Sequence, residues 1–193
     1  MSLRNIVATL LILTIAFLIM AAPCMAKTPI RTIEGTVVKV SDADTVQIID
    51  GNGTKVKVRL YGIDAPETRK PGKVGQLYGD EAHQILLSKV NRRQVRLDVM
   101  DVDQYKRIVG IVWLGDRNIN LEMVDEGWAW AYRQYLSRPY ASEFVGAEEQ
   151  ARKQGRGIWQ QPNVTPPWEF RKKRSWLQIP EEDSDATRLA YVL

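Results

Sequence analysis

Residues 45–61 read TVQIIDGNGTKVKVRLY. Thr45 to Ile49 is β-branched apart from Gln47. Such side chains are stiff at χ1 and pack well on a pleated surface, so this run predicts a strand. Asp50-Gly51-Asn52-Gly53 comes next. Gly and Asn tolerate positive φ, which makes these residues a strong hairpin turn. In the segment from Lys55 to Tyr61, Val56, Val58 and Leu60 alternate with Lys55, Lys57 and Arg59. A period of two gives a strand one apolar and one polar face.

Outward from this hairpin the same signals recur. Ile33 to Val40 predicts a strand before it, and Gln94 to Val99 and Ile108 to Leu114 predict two after it. Residues 67–75 form a loop rich in Pro, Gly and basic side chains. Gly79 to Val90 carries Ala82, Ile85 and Leu86 at helical spacing. Asn118 to Glu126 predicts a short helix ended by Gly127. Ser142 to about Gln154 predicts a longer one, with Glu143 in its first turn, Arg152 and Lys153 in its last and Gly155 as its stop. The order is three strands, a helix, two strands, two helices. That order predicts a mainly β fold with α (α+β), a five-stranded OB-fold barrel with about three helices.

The chain has 193 residues, enough for one core and little more. Residues 1–26 stand apart. Arg4 is their only charge, residues 6–20 are apolar except for Thr9 and Thr14, and small residues precede Lys27. This is the pattern of a secretory signal peptide cleaved after Ala26. The competing reading is an uncleaved membrane anchor, because the apolar stretch is nearly long enough to span a bilayer. Domain boundaries follow: a signal peptide over 1–26, a folded domain over 27–161, and a Pro-rich, charged tail over 162–193. The expected protein is exported, secreted or periplasmic, with no stable membrane association after cleavage, and monomeric.

The residue inventory narrows the chemistry. Cys24 is the only cysteine and His83 the only histidine. No thiol chemistry, zinc cluster or Ser-His-Asp triad is available to a mature chain. Catalysis must use carboxylates, Arg, Lys, Tyr or a hard metal ion. The net charge of +4 is a weak pointer to a polyanionic partner.

Three segments carry candidate groups. Ser41-Asp42-Ala43-Asp44-Thr45 sets two carboxylates around a small residue between strands. Alone it fits a polar turn as well as a hard-metal site. In Arg59-Leu60-Tyr61-Gly62-Ile63-Asp64-Ala65-Pro66-Glu67-Thr68, a strand ends and two carboxylates follow within a segment stiffened by Pro66. Asp103-Gln104-Tyr105-Lys106-Arg107 joins the last two strands. It reads either as a solvated hairpin loop or as a mount for a phosphate-binding arginine.

The motifs D-x-D-T, R-L-x-G-I-D-A-P-E, D-x-Y-x-R and G-x-G-I-W occur in this order between Glu34 and Trp159. In these the chain resembles the staphylococcal nuclease family. The resemblance implies that Asp44 and Asp64 are carboxylate ligands of Ca²⁺, that Ala65 gives the ion a backbone carbonyl, and that Asp42 supports it from behind through water. It implies Glu67 as general base, Arg59 and Arg107 as phosphate-clamping arginines, Tyr105 as a phosphate contact and Tyr132 as the aromatic on which a base rests. The implied activity is calcium-dependent hydrolysis of DNA and RNA with little sequence specificity, leaving 3′-phosphates. Gln104 and Lys106 depart from the founding member, which has Lys and Gly there.

The loop bearing Arg69, Lys70 and Lys73 reads as a backbone contact, and tyrosines stack bases without reading them. Single-stranded substrate is therefore expected to be favoured. Two rivals remain: a non-catalytic nucleic-acid binder, and an OB barrel that binds oligosaccharide or protein. The basic run 171–174 reads as part of a solvated tail.

Overall fold

A computed structural model describes residues 27–176. The apolar leader, its cleavage site and the acidic end of the chain lie outside the described residues. The predicted hairpin forms β2 (Thr45–Asp50) and β3 (Lys55–Leu60). Asp50 closes its turn by accepting from the backbone N–H of Asn52 and Thr54 through one side-chain oxygen, at 2.9 and 2.8 Å. Gly53 takes φ 80°, the left-handed conformation that the sequence implied.

Strand β1 (Arg31–Asp42) is longer than expected and pairs antiparallel with β2 on one side and β5 (Gln94–Val102) on the other. Register shifts near Val37 and Val40 let it bend between two neighbours. Gly35 sits at this crossing, where an added Cβ would meet the Ile49 carbonyl oxygen at 2.5 Å. β5 pairs with β6 (Ile108–Leu114), and β6 runs parallel to β3 through Val58↔Ile108 and Leu60↔Gly110. That parallel pairing closes five strands into a barrel. Its interior is filled by Val37, Val46, Ile48, Val58, Leu60, Val95 and Leu97, all essentially inaccessible to solvent.

Beyond β3 the chain forms the two-residue β4 (Ile63–Asp64), helix α1 (Gly79–Val90), β7 (Arg117–Asn118), helix α2 (Ile119–Asp125), β8 (Trp130–Ala131) and helix α3 (Tyr140–Lys153). α1 seats Ala82, Leu86 and Val90 in the core. The Asn118 side chain caps α2 by accepting from Leu121 N at 3.1 Å. α3 begins at Tyr140, two residues earlier than expected, and Ser142 Oγ turns back to the Pro139 carbonyl at 3.1 Å. The buried Asn120 fastens α2 to the barrel. It accepts from Val112 N and donates to the carbonyls of Tyr61 and Gly110, each at 3.0 Å. The glycines of the G-x-G-I-W motif also have a structural reason: Gly157 lies so close to Gly127 that a Cβ would meet the Gly127 carbonyl oxygen at 2.4 Å.

The segment from residue 162, read as a tail, contains a further helix, α4 (Pro167–Trp176). Proline suits a first helical turn, where its missing N–H would have no partner anyway. Pro166 O accepts from Glu169 N and Phe170 N at 3.0 Å each. α4 has too little apolar character to announce itself as an amphipathic helix. Aromatic contacts and ion pairs hold it instead: Trp168 packs on Tyr132 and Trp130, and Arg171 reaches the acidic cleft. The described residues thus hold four helices, against about three expected. None of these is long and apolar enough to cross a membrane.

Candidate active site

β3 ends in Arg59 and Leu60, and the chain then turns through Gly62 at φ 75° into β4. β4 pairs with β8 (Ile63↔Ala131, Asp64↔Trp130). This pairing buries Asp64 completely. Thr45, just after Asp44, pairs with Arg59 across the β2–β3 ladder. The sheet therefore delivers Asp44, Arg59 and Asp64 to one end of the barrel.

One guanidinium joins the two acids. Arg59 Nη1 lies 2.8 Å from Asp44 Oδ2, and Nη2 donates to Asp64 Oδ1 at 2.7 Å. Burial pushes the Asp44 carboxyl above its ordinary range, against the pull of Arg59 and with a push from the Asp64 charge. Thr45 Oγ1 donates to Asp44 at 2.8 Å. Burial opposes the Arg59 charge, but Asp44 and Asp64 outweigh it and hold its proton more firmly than usual.

Asp42 faces the loop after β4. Its Oδ1 accepts from Thr68 Oγ1 at 2.6 Å and from Thr68 N at 3.2 Å, and its Oδ2 meets Lys70 Nζ. Burial raises the Asp42 pKa, yet Lys70 and Thr68 more than offset this and leave it below the ordinary value. Asp42 thus orients the Glu67–Lys70 segment. Gly79 packs under the same segment, where a Cβ would stand 2.1 Å from the Glu67 carbonyl oxygen.

Arg107 comes from the loop between β5 and β6. Asp103 organises that loop: its Oδ1 accepts from Tyr105 N and Arg107 N at 2.9 Å each, and its Oδ2 accepts from Arg107 Nε at 2.7 Å. Burial raises the Asp103 pKa, but the Arg107 bonds prevail and bring it below 3.8. The bond to Nε leaves the terminal Arg107 nitrogens for an anion. The exposed Tyr105 ring lies 5.5 Å from the Arg107 guanidinium.

These groups line one cleft of about 660 Å³, with Asp42, Asp44, Arg59, Ala65, Glu67, Tyr105, Arg107 and Tyr132 on its walls. Lys70 and Lys73 do not line it. Their backbones pair with each other at the loop tip, and Lys70 is engaged with Asp42. The sequence reading missed Arg171 of α4. Its Nη2 donates to Asp64 Oδ2 at 2.7 Å, and its Nη1 donates to Asp64 Oδ1 at 3.1 Å and to Glu67 Oε1 at 3.0 Å. No motif spacing marks this residue, which reaches Asp64 across 107 positions of sequence. Among the described residues, no three His, Cys, Asp or Glu side chains cluster as a self-sufficient metal cage. The acidic groups are instead interleaved with guanidinium groups.

Chemically, the cleft offers Asp44 on its wall and Asp64 fully buried behind Arg59 and Arg171 for a hard cation, a carboxylate at its wall for a proton, and arginine forks for an anion. Comparison with known proteins agrees in kind. Residues 57–161 match the profile of the family described as staphylococcal nuclease homologue. The chain is 36% identical to Protein ParB of Escherichia coli over 82% of its own length and 88% of that protein's. It is 37% identical to a micrococcal nuclease of Shigella flexneri, covering 72% of this chain and 80% of the relative. It is 33% identical to a thermonuclease of Staphylococcus hyicus, covering 80% and 93%.

Proposed function

This chain belongs to the staphylococcal nuclease family, and on that premise we propose that it is an exported, calcium-dependent enzyme cutting DNA and RNA with little sequence preference. The coarser statement stands by itself: the protein is a nuclease, a phosphodiester hydrolase of the endonuclease class acting on nucleic acid. The observation that carries the finer reading is the Arg59 guanidinium at 2.8 and 2.7 Å from Asp44 and Asp64, in the cleft that Glu67 and Arg107 also line.

The donor set suits Ca²⁺. Asp44 and Asp64 would offer it hard, buried oxygens, the Ala65 backbone carbonyl would add a third, and Asp42 would support it at one remove. A positive group, Arg171, is already drawn onto Asp64. When bound, Ca²⁺ supplies Lewis-acid polarisation of a phosphoryl oxygen and offsets the repulsion between a phosphodiester and hydroxide.

The rest falls to the protein's own side chains. Glu67 accepts the proton of the attacking water through a carboxylate oxygen. Arg107 donates from its terminal nitrogens to a non-bridging phosphate oxygen while Asp103 fixes its Nε. A guanidinium carries five N–H donors, so Arg59 keeps donors for phosphate while it holds the two acids. Both forks strengthen their bonds as negative charge grows on the equatorial oxygens of the pentacoordinate transition state. The bond from phosphorus to the 5′-oxygen breaks, that oxygen takes a proton from solvent to become a 5′-hydroxyl, and a 3′-phosphate remains. Tyr105 contacts phosphate, and Tyr132 offers a ring to a base. Such stacking favours single strands. Lys70 and Lys73, outside the cleft, belong to the loop that approaches the backbone. Export through residues 1–26, monomeric state and the absence of membrane association complete the reading.

The test is cleavage of single-stranded DNA, duplex DNA and RNA in Ca²⁺, Mg²⁺ or chelator, with analysis of product ends. Calcium-dependent cleavage leaving 3′-phosphates is expected, fastest on single strands. Equal rates in calcium and chelator, or 5′-phosphate ends, would sink the proposal.

A further inference from the structure

α4 lays two side chains of one face on the candidate active site. Trp168 and Arg171 are three residues apart, so they project from neighbouring positions on the helix surface. Arg171 spans Asp64 and Glu67 with its fork. Trp168 lies flat on Tyr132, with 1° between the ring planes and 5.5 Å between centroids. One end of this face thus places a cation on the acidic pair, and the other places a planar ring on the tyrosine that would carry a base. These are the two things that a cation and a nucleic-acid strand bring.

We propose that α4 is a self-inhibiting plug, imitating the bound cation with Arg171 and the stacked base with Trp168, and that calcium and nucleic acid must displace it. The inference rests on the cation reading of Asp44 and Asp64 given above. Arg59 leaves Asp64 Oδ2 open, whereas Arg171 occupies it as well as Oδ1, so Arg171 and a Ca²⁺ held by that oxygen exclude one another. The contacts suit an exchangeable helix. The Arg171 side chain is still 33% exposed although Asp64 is not, so water reaches the guanidinium from one side and can take over its bonds as α4 lifts. The segment leading into α4 is fastened separately, where Gln76 Nε2 donates to the Thr165 carbonyl at 2.5 Å. α4 therefore has a tether from which to swing. A plug closed nine-tenths of the time weakens apparent cation affinity about tenfold, because only the open fraction binds.

Calorimetric titration of CaCl₂ into the purified full chain, Arg171→Gln and Trp168→Leu tests this. Both substitutions keep bulk in place of truncating to alanine, and circular dichroism checks that each folds. Trp168→Leu changes no charge near the cation. Both variants are expected to bind calcium about tenfold more tightly than the parent. Tightening in Arg171→Gln alone overturns the plug, because Arg171 is then only a repelling charge. Equal affinity in all three overturns the plug and leaves the cation site standing. Absence of calcium binding in all three overturns the cation reading and the plug with it. Hydrogen exchange gives a second readout: α4 amides should exchange faster when calcium and a short single-stranded DNA are added. Unchanged protection of α4 contradicts displacement.

Discussion

Arg59 holds Asp44 and Asp64 with different nitrogens of one planar group, while still owing donors to a phosphate. A lysine ammonium is a point charge without that fork. Arg59→Lys is therefore expected to lower kcat by about 10²–10³-fold, roughly 3–4 kcal/mol of transition-state stabilisation, with circular dichroism unchanged. A variant within about threefold of the parent would show that charge alone suffices. Asp103 acts on Arg107 in a different way, by accepting three bonds that shape its loop. Its pKa lies below 3.8 in the folded chain, so its stabilising effect is complete above that value and is lost as pH falls through the folded pKa. Melting temperatures of the parent and Asp103→Asn are expected to differ by a constant gap above about pH 5 and to converge below 3.8. A gap that persists in acid would mean the carboxylate charge is not what matters. At this scale the sequence was informative where motif spacing carried the resemblance, as at Asp64 and Glu67. It was silent on Arg171, whose partners are brought to it only by tertiary structure.

The elements that position these residues meet at glycines. Gly79 opens α1 against the backbone of the loop bearing Glu67, and an added methyl would stand 2.1 Å from the Glu67 carbonyl oxygen. Backbone on both sides has little room to give. Gly79→Ala is expected to cost about 1–3 kcal/mol of stability by overpacking and to cut kcat by shifting Glu67, seen as a lower urea midpoint together with slower cleavage. Unaltered activity in a destabilised variant would separate α1 from the positioning of Glu67. Periodicity exposed α1 over its full length, Gly79–Val90, because its apolar stripe faces the core. The hairpin was equally plain, since Gly53 takes the left-handed backbone and Asp50 closes the turn. α4 stayed hidden because it is anchored by aromatic stacking and ion pairs, and a polar, Pro-led segment of this kind reads as solvated chain. The start of α3 was misplaced because Ser142 resembles a cap, whereas here its hydroxyl turns back to Pro139.

Across the whole molecule, a closed barrel brings together residues that the chain scatters. The β1–β2, β2–β3 and β5–β6 neighbours follow from short connections, so that part of the strand order was legible. The parallel β3–β6 pairing was not, because it joins strands separated by α1 and β5 and leaves no local signal. Yet that pairing sets Arg59 beside Val109 and so brings the Arg59 and Arg107 segments together. The chemistry proposed here depends on this convergence, with Glu67 as the group that takes the proton of water. The most direct measurement is the single-turnover rate of oligonucleotide cleavage in calcium by Glu67→Gln beside the parent. A fall of about 10²–10⁴-fold, with oligonucleotide affinity within a factor of about three, is the expected result. A rate equal to the parent's would contradict the assignment and move the catalytic centre elsewhere.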